Sequence, residues 1–271
     1  MSESPVKTQL FLLAHAGGNA TQYAYLLAAL RQSIVLVPLD LPGHGERAGE
    51  ALLHTVPEMV NDVTRAMRAR LTQCPDLPYA IFGHSLGSLL GYLSAVTLAG
   101  ENRPPVHLFV SSGCVPGQHY VPGNFSQLSD EALWQASARY FGGISEEALA
   151  CEELQHYFTP LLKADLMAVT CYKPATLHAL EVPITAIYGE TDVVAKEDME
   201  KWRRLCVSLF QCHCIQGGHF YLFQQAEVLA TRILAGLDQL DEVVLGSDRR
   251  RETPSLCLLS GKMLVKGAPR Q

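Results

Sequence analysis

The chain predicts an α/β protein, a mostly parallel sheet with helices on both faces and a helical insertion over the ends of its strands. Three observations carry this expectation. Short apolar runs rich in β-branched or aromatic residues recur at 8–14, 34–37, 79–82, 106–111, 184–188 and 209–215, the pattern of buried strands. Stretches with helical periodicity lie between them. The interval between 111 and 184 is too long for a crossover helix and holds no convincing strand.

Taken in order, Thr8 to Ala14 is an apolar run that stops at His15-Ala16-Gly17-Gly18-Asn19, where consecutive glycines break a continuing strand. Residues 34–37 repeat the pattern. Met59, Val60, Val63, Met67 and Leu71 then recur at three- and four-residue steps, the spacing of a helix with one apolar face. After 79–82 the stretch 86–98 is apolar nearly all round, as in a helix buried on most sides. Past 106–111, Leu128-Ser129-Asp130-Glu131 opens a helix with acidic residues in its first turn, and Gly142-Gly143 closes it. A further run over 146–171 places Leu149, Leu154, Tyr157, Phe158, Leu161 and Leu162 at helical spacing. The interval therefore reads as a helical insertion lying over the strand ends. Strands alternating with helices give a parallel sheet covered on both faces, and such sheets place their chemistry at the carboxyl ends of the strands.

With 271 residues, 48% hydrophobic and 18% charged, the chain has material for a large core and is not compositionally disordered. No apolar run approaches the ~20 residues of a membrane helix, and Met1-Ser2-Glu3-Ser4-Pro5 has neither a basic start nor an apolar signal core. A cytoplasmic protein with no membrane association is expected. A formal charge of −6 argues against a general nucleic-acid binder, which needs a dense basic surface. Eight cysteines occur but no Cys-x-x-Cys pair. Cys212 and Cys214 flank His213 in a strand-like run, so both thiols share one face and His213 the other; buried core thiols are expected, and no metal or cofactor. An enzyme-sized domain is expected to span 1–245. From 246 to 271 the chain carries six basic residues against Asp248 and Glu252, a poorly ordered basic tail.

Gly83-His84-Ser85-Leu86-Gly87 fits Gly-x-Ser-x-Gly and sits between the strand at 79–82 and the helix beginning near Leu86. A serine on a strained strand-to-helix turn needs neighbours without bulk, and the turn aims the following N–H groups, led by Leu86, at whatever bonds to Ser85. A hydroxyl is a weak nucleophile, so a base must take its proton and a carboxylate must orient the base. In this fold the order is Ser, acid, His. His219, in Gln216-Gly217-Gly218-His219-Phe220, follows the last strand on a flexible turn and is the candidate base. In Gly189-Glu190-Thr191-Asp192 both acids could reach it; Asp192 is preferred because it has cleared the turn that Gly189 begins. Two donors must stabilise the developing oxyanion, and Leu86 and Ala16 are the candidates.

The segments Ala14-His15-Ala16-Gly17-Gly18, Leu41-Pro42-Gly43 with Glu46-Arg47, Gly83 to Gly87, Leu128 to Glu131, Gly142-Gly143, Pro160-Leu161-Leu162-Lys163-Ala164-Asp165 and Gly217 to Phe220 together resemble the type II thioesterases. These are α/β-hydrolases that accompany polyketide, nonribosomal peptide and fatty acid synthases. The resemblance runs from about residue 8 to about 240. It implies a triad of Ser85, Asp192 and His219, oxyanion donors Ala16 and Leu86, and residues 117–175 as a helical lid over an acyl pocket. It also implies hydrolysis of acyl thioesters from the phosphopantetheine arm of an acyl or peptidyl carrier protein. Phe158, Leu161 and Leu162 on the lid are the candidate substrate-binding residues, and Arg203 and Arg204 candidate contacts for an acidic carrier. Ala14 stands where the family usually has Pro, Lys163 where it more often has Arg, and His44-Gly45 where it often has Arg and another residue. The rival readings are a carboxylester hydrolase or acyltransferase of the same fold, and a non-catalytic carrier-protein binding module.

Overall fold

The structure is a computed structural model that describes residues 8–30, 34–118, 121–122 and 125–248. Six strands, β1 (Thr8–Leu13), β2 (Ile34–Leu39), β3 (Tyr79–His84), β4 (His107–Ser111), β5 (Ile184–Gly189) and β6 (Phe210–Ile215), form one sheet in the order β2-β1-β3-β4-β5-β6. Every pairing is parallel. All carboxyl ends therefore lie along one edge of the sheet, and the turns that leave them meet there.

Period-two alternation divides the strand residues between two cores. Phe11, Leu13, Ile81, Leu108, Val110, Ile184 and Ala186 face one side. There they pack against Met59, Val63 and Met67 of α2 (Val56–Gln73) and Leu90 of α3 (Leu86–Gly100). Leu10, Leu12, Ala80, Phe82, Phe109 and Ile187 face the other. They meet Leu26 and Leu30 of α1 (Ala24–Leu30) and Leu229 and Ile233 of the last helix (Ala226–Asp248). The 59–71 periodicity thus marks the buried stripe of α2. Its start is fixed by a capping box in which Thr55 and Glu58 satisfy each other's backbone N–H groups, a device worth about 1 kcal/mol.

Between β4 and β5 the described residues form three α-helices, α4 (Asp130–Phe141), α5 (Glu146–Leu149) and α6 (Glu152–Cys171). Ser129 caps α4 by accepting the Ala132 N–H, and Gly142 at φ +73 ends it. The periodicity over 146–171 reads as one helix but is broken at Ala150 and Cys151 into two. Leu133 of α4 and Leu166 of α6 bury with Val121 and Phe125 in a small cluster of their own.

After β5, α7 (Lys196–Glu200) leads back to β6, and α8 (Tyr221–Gln224) and α9 (Ala226–Asp248) complete the described residues. β6 is an edge strand, and this corrects the expectation of buried core thiols. With no neighbouring strand on its outer side among the described residues, Cys212 is only half-buried and Cys214 is exposed. No group of side chains that could hold a metal occurs among the described residues. The basic tail expected from 246 lies outside the described residues beyond Asp248, which α9 still includes. No described helix is long and apolar enough to cross a membrane.

Candidate active site

Ser85 sits at φ +57, ψ −115 on the turn between β3 and α3, a conformation that costs of order 1–3 kcal/mol and persists only where its surroundings impose it. Here they do. The Ser85 N–H donates to the Ser111 carbonyl at 2.7 Å. The Ser88 hydroxyl is hydrogen-bonded to the Gly83 carbonyl at 2.8 Å and to the Ser111 carbonyl at 2.9 Å. A Cβ at Gly83 would fall 2.0 Å from the Gly87 carbonyl oxygen, and one at Gly87 2.2 Å from that of Leu13. Both glycines flanking Ser85 are thus demanded by backbone contact. Leu86 opens α3, so its N–H has no partner inside the helix.

Asp192 lies just past β5, its side chain wholly buried. Oδ1 accepts the His219 Nδ1–H at 2.8 Å and the Val194 N–H at 3.1 Å, and the Ser112 hydroxyl donates to Oδ2. Burial opposes the charge of Asp192. The hydrogen bond and charge of His219, with the Ser112 and Val194 donors, outweigh it and hold the carboxyl below its ordinary range. A carboxylate only accepts, so Nδ1 of His219 carries a proton toward Asp192, and in the neutral form of the ring Nε2 is the basic nitrogen. The structure brings Asp192 to His219 and leaves Glu190 exposed at the surface.

The His219 ring is 3% exposed and wedged among Phe141, Phe220 and His84, with centroids 5.1–5.2 Å away. His84 and His15 beside it remain neutral. Burial, then the proximity of His219, holds His84 far below the ordinary imidazole range and His15 at about 3.

Ser85 and His219 open onto one cavity of about 930 Å³, part of it continuous with solvent. Ala16 and Gly17 form its wall on the β1 side. Trp134 and Phe141 of α4 and Leu154, Phe158, Leu162 and Leu166 of α6 also line it. The four α6 residues are successive i, i+4 neighbours on one helix face. Leu161, a candidate from sequence, is buried but is not among the cavity-lining residues, because it projects from an adjacent face of the helix. The sequence reading missed Trp134, Phe141 and Leu166, although all three are apolar residues of helices it had located. Ser112 had no local signal. Arg203 and Arg204 belong elsewhere. Arg203 stacks over the Phe210 ring at 4.7 Å, and Phe210 pairs with Ile184 at the amino end of the sheet, opposite the edge where Ser85 lies.

The parallel sheet with helices on both faces, the Ser-bearing turn after β3 and the cavity at the carboxyl ends define an α/β-hydrolase. Residues 8–237 match the thioesterase domain family, and the chain belongs to it. It is 29% identical to the gramicidin S biosynthesis protein GrsT of Aneurinibacillus migulanus, over 82% of this chain and 85% of that one. With the medium-chain S-acyl fatty acid synthase thioesterase of Homo sapiens it shares 30% identity over 78% and 79%. Among solved structures, the type II thioesterase BorB from the borrelidin biosynthetic cluster superposes with a TM-score of 0.77 at 30% identity, covering 86% of this chain and 94% of that one. The chain is thus a thioesterase, a hydrolase of acyl thioesters.

Proposed function

We propose that Ser85 is the nucleophile, His219 the general base and Asp192 its orienting carboxylate, with the Leu86 and Ala16 N–H groups stabilising the oxyanion. The acyl groups hydrolysed are those carried on the phosphopantetheine arm of an acyl or peptidyl carrier protein, for editing or chain release. The observation that carries the reading is the buried His219–Asp192 hydrogen bond, made by a ring that shares one apolar cavity with Ser85.

Ser85 Oγ adds to the thioester carbonyl as its proton passes to His219 Nε2. Charge developing on the carbonyl oxygen meets the two backbone donors, with the positive end of α3 behind Leu86. Collapse breaks the C–S bond, and the departing thiolate takes its proton from His219. Water then attacks the acyl-Ser85 ester while His219 again accepts a proton, and the carboxylic acid leaves with the Ser85 hydroxyl restored. Side chains and water carry every proton in this sequence. Residues 117–175 act as the lid, whose apolar face holds the acyl chain. The hydrolase domain runs to about 245. The free thiols among the described residues suit a reducing compartment, which supports the cytoplasm as its location.

Ser85→Ala tests the assignment. Hydrolysis should fall by roughly 10³-fold or more, while Tm stays within a few degrees because no core contact is lost. Retained turnover in the folded variant would assign the nucleophile elsewhere.

A further inference from the structure

One buried carboxylate ties the loop that carries Ala16 to the helical insertion. Asp165 on α6 is 1% exposed. Its Oδ2 accepts the Gly17 N–H at 2.7 Å and lies 3.1 Å from Nε2 of His44. Oδ1 has no hydrogen-bond partner among the described residues. His44, on the loop after β2, is 2% exposed, and its Nδ1 lies 3.0 Å from the Pro42 carbonyl oxygen. Three segments far apart in sequence thus converge on two side chains. The loop also packs directly on α6, since a Cβ built at Gly17 would meet the Leu162 Cβ at 3.5 Å.

The geometry fixes the protonation state. A carbonyl and a carboxylate only accept, so both ring nitrogens of His44 must donate, and a neutral imidazole has a single N–H. The pair therefore holds one extra proton, between Nε2 and Oδ2. Without it, a buried carboxylate faces a nitrogen lone pair with the Gly17 N–H as its remaining donor, and an uncompensated buried charge is strongly unfavourable.

We propose that Asp165 and His44 are positioning residues for the oxyanion-binding loop: while the pair keeps its proton it clamps Gly17, and with it Ala16, against α6, and loss of that proton loosens the clamp. This rests on the assignment of Ser85 and Ala16 above.

The groups facing His44 are Asp165 from α6, Asp40 at the end of β2 and His15 from the loop after β1. Burial of His44 disfavours its charge. The hydrogen bond and charge of Asp165, then the Pro42 carbonyl and Asp40, outweigh burial and raise the His44 pKa above the ordinary 6.5. His15, held at about 3, stays neutral and adds no competing titration. A histidine whose folded pKa is raised contributes stability in full below its unfolded value. That stability is lost as pH rises through the folded value. The clamp therefore fails on the alkaline side.

The test follows kcat and KM for 4-nitrophenyl butyrate, an activated acyl ester, from pH 6 to 10, with Tm measured at each pH. Wild type should lose kcat by roughly tenfold along an alkaline limb with KM little changed, the size expected when one oxyanion donor is displaced rather than deleted, and Tm should fall over the same range. His44→Gln, which carries no charge, should show the lowered kcat throughout and no limb. His44→Arg, permanently charged, should lack both the limb and the fall in Tm. A flat wild-type profile, a limb that persists in His44→Gln, or wild-type kcat in that variant at neutral pH would each overturn the proposal. If His44→Arg does not fold, His44→Gln and the wild-type Tm profile decide. Folded wild-type protein inert toward the ester would instead sink the serine-hydrolase assignment, while the Tm comparison would still test the clamp.

Discussion

Asp192 takes three hydrogen bonds, from His219, Ser112 and Val194, and each makes the ionised form cheaper to bury. An orienting carboxylate must stay charged while its histidine gains and loses a proton, and this site supplies that condition from three separate segments. Asp192→Asn should therefore lower kcat by roughly 10³–10⁴-fold, because the amide no longer stabilises the imidazolium or fixes its tautomer. Glu190→Gln should change it little. The reverse ordering, read from steady-state kinetics of the two folded variants, would move the carboxylate role to Glu190. How far these residues were legible depends on how local their signals are. Gly83, Ser85 and Gly87 fall within five positions, and the contacts that demand the glycines follow from the turn itself. The choice between Asp192 and Glu190 rested on turn geometry, a weaker cue. Ser112, 80 positions from Asp192, had none, and neither had the pairing of Asp165 with His44, 121 apart, since a residue on a helix or loop carries no mark of the partner the fold brings it. His44 was visible only as a departure from the arginine common in similar chains. Beside Asp165 it keeps the positive charge but makes it titratable.

At the scale of elements, the six strands were legible as short apolar runs, α2 from its helical period, α3 from being apolar nearly all round and α4 from the signals at its two ends, because burial against a sheet imposes these patterns. The break between α5 and α6 was not, because Ala150 and Cys151 interrupt the backbone without interrupting the apolar spacing. The side of α6 that meets the cavity was half legible. Phe158 and Leu162 were identified, but Leu161 was grouped with them and Leu166 was not, since a stripe read from sequence does not say which of two adjacent helix faces turns inward. Phe158 is half-buried and stacks on Trp134 at 6.5 Å, so its removal enlarges the cavity without opening the main core. Phe158→Ala should shift preference toward longer acyl chains by roughly tenfold in relative kcat/KM, the order expected for a change of a methylene or more of fit. Tm should move by only a few degrees. A large drop in Tm with an unaltered chain-length profile would make the insertion a packing layer and not a lid.

At the scale of the whole molecule, the question is how a carrier would be recognised by a chain whose net charge is −6. Carrier proteins are generally acidic, so long-range steering works against the encounter, and the exposed Arg203 and Arg204 stand at the wrong end of the sheet to offset it locally. What stands at the right end is apolar. Leu154 both lines the cavity and is 37% exposed, marking its mouth, and Tyr157 beside it on α6 is 46% exposed. A flexible arm could deliver its thioester past these residues while the carrier stays outside, and contacts made there would raise kcat/KM only by holding the thioester carbonyl at Ser85. An acyl group on its carrier protein should then react with higher kcat/KM than the same group on a short thiol, and the advantage should change little with salt, because apolar contacts are not screened. Leu154→Ser with Tyr157→Ser should reduce the carrier-borne rate more than the short-thiol rate. Equal kcat/KM on both substrates, or faster turnover of oxygen esters, would remove the carrier from the mechanism. The cavity would then belong to an enzyme that takes its acyl groups free in solution.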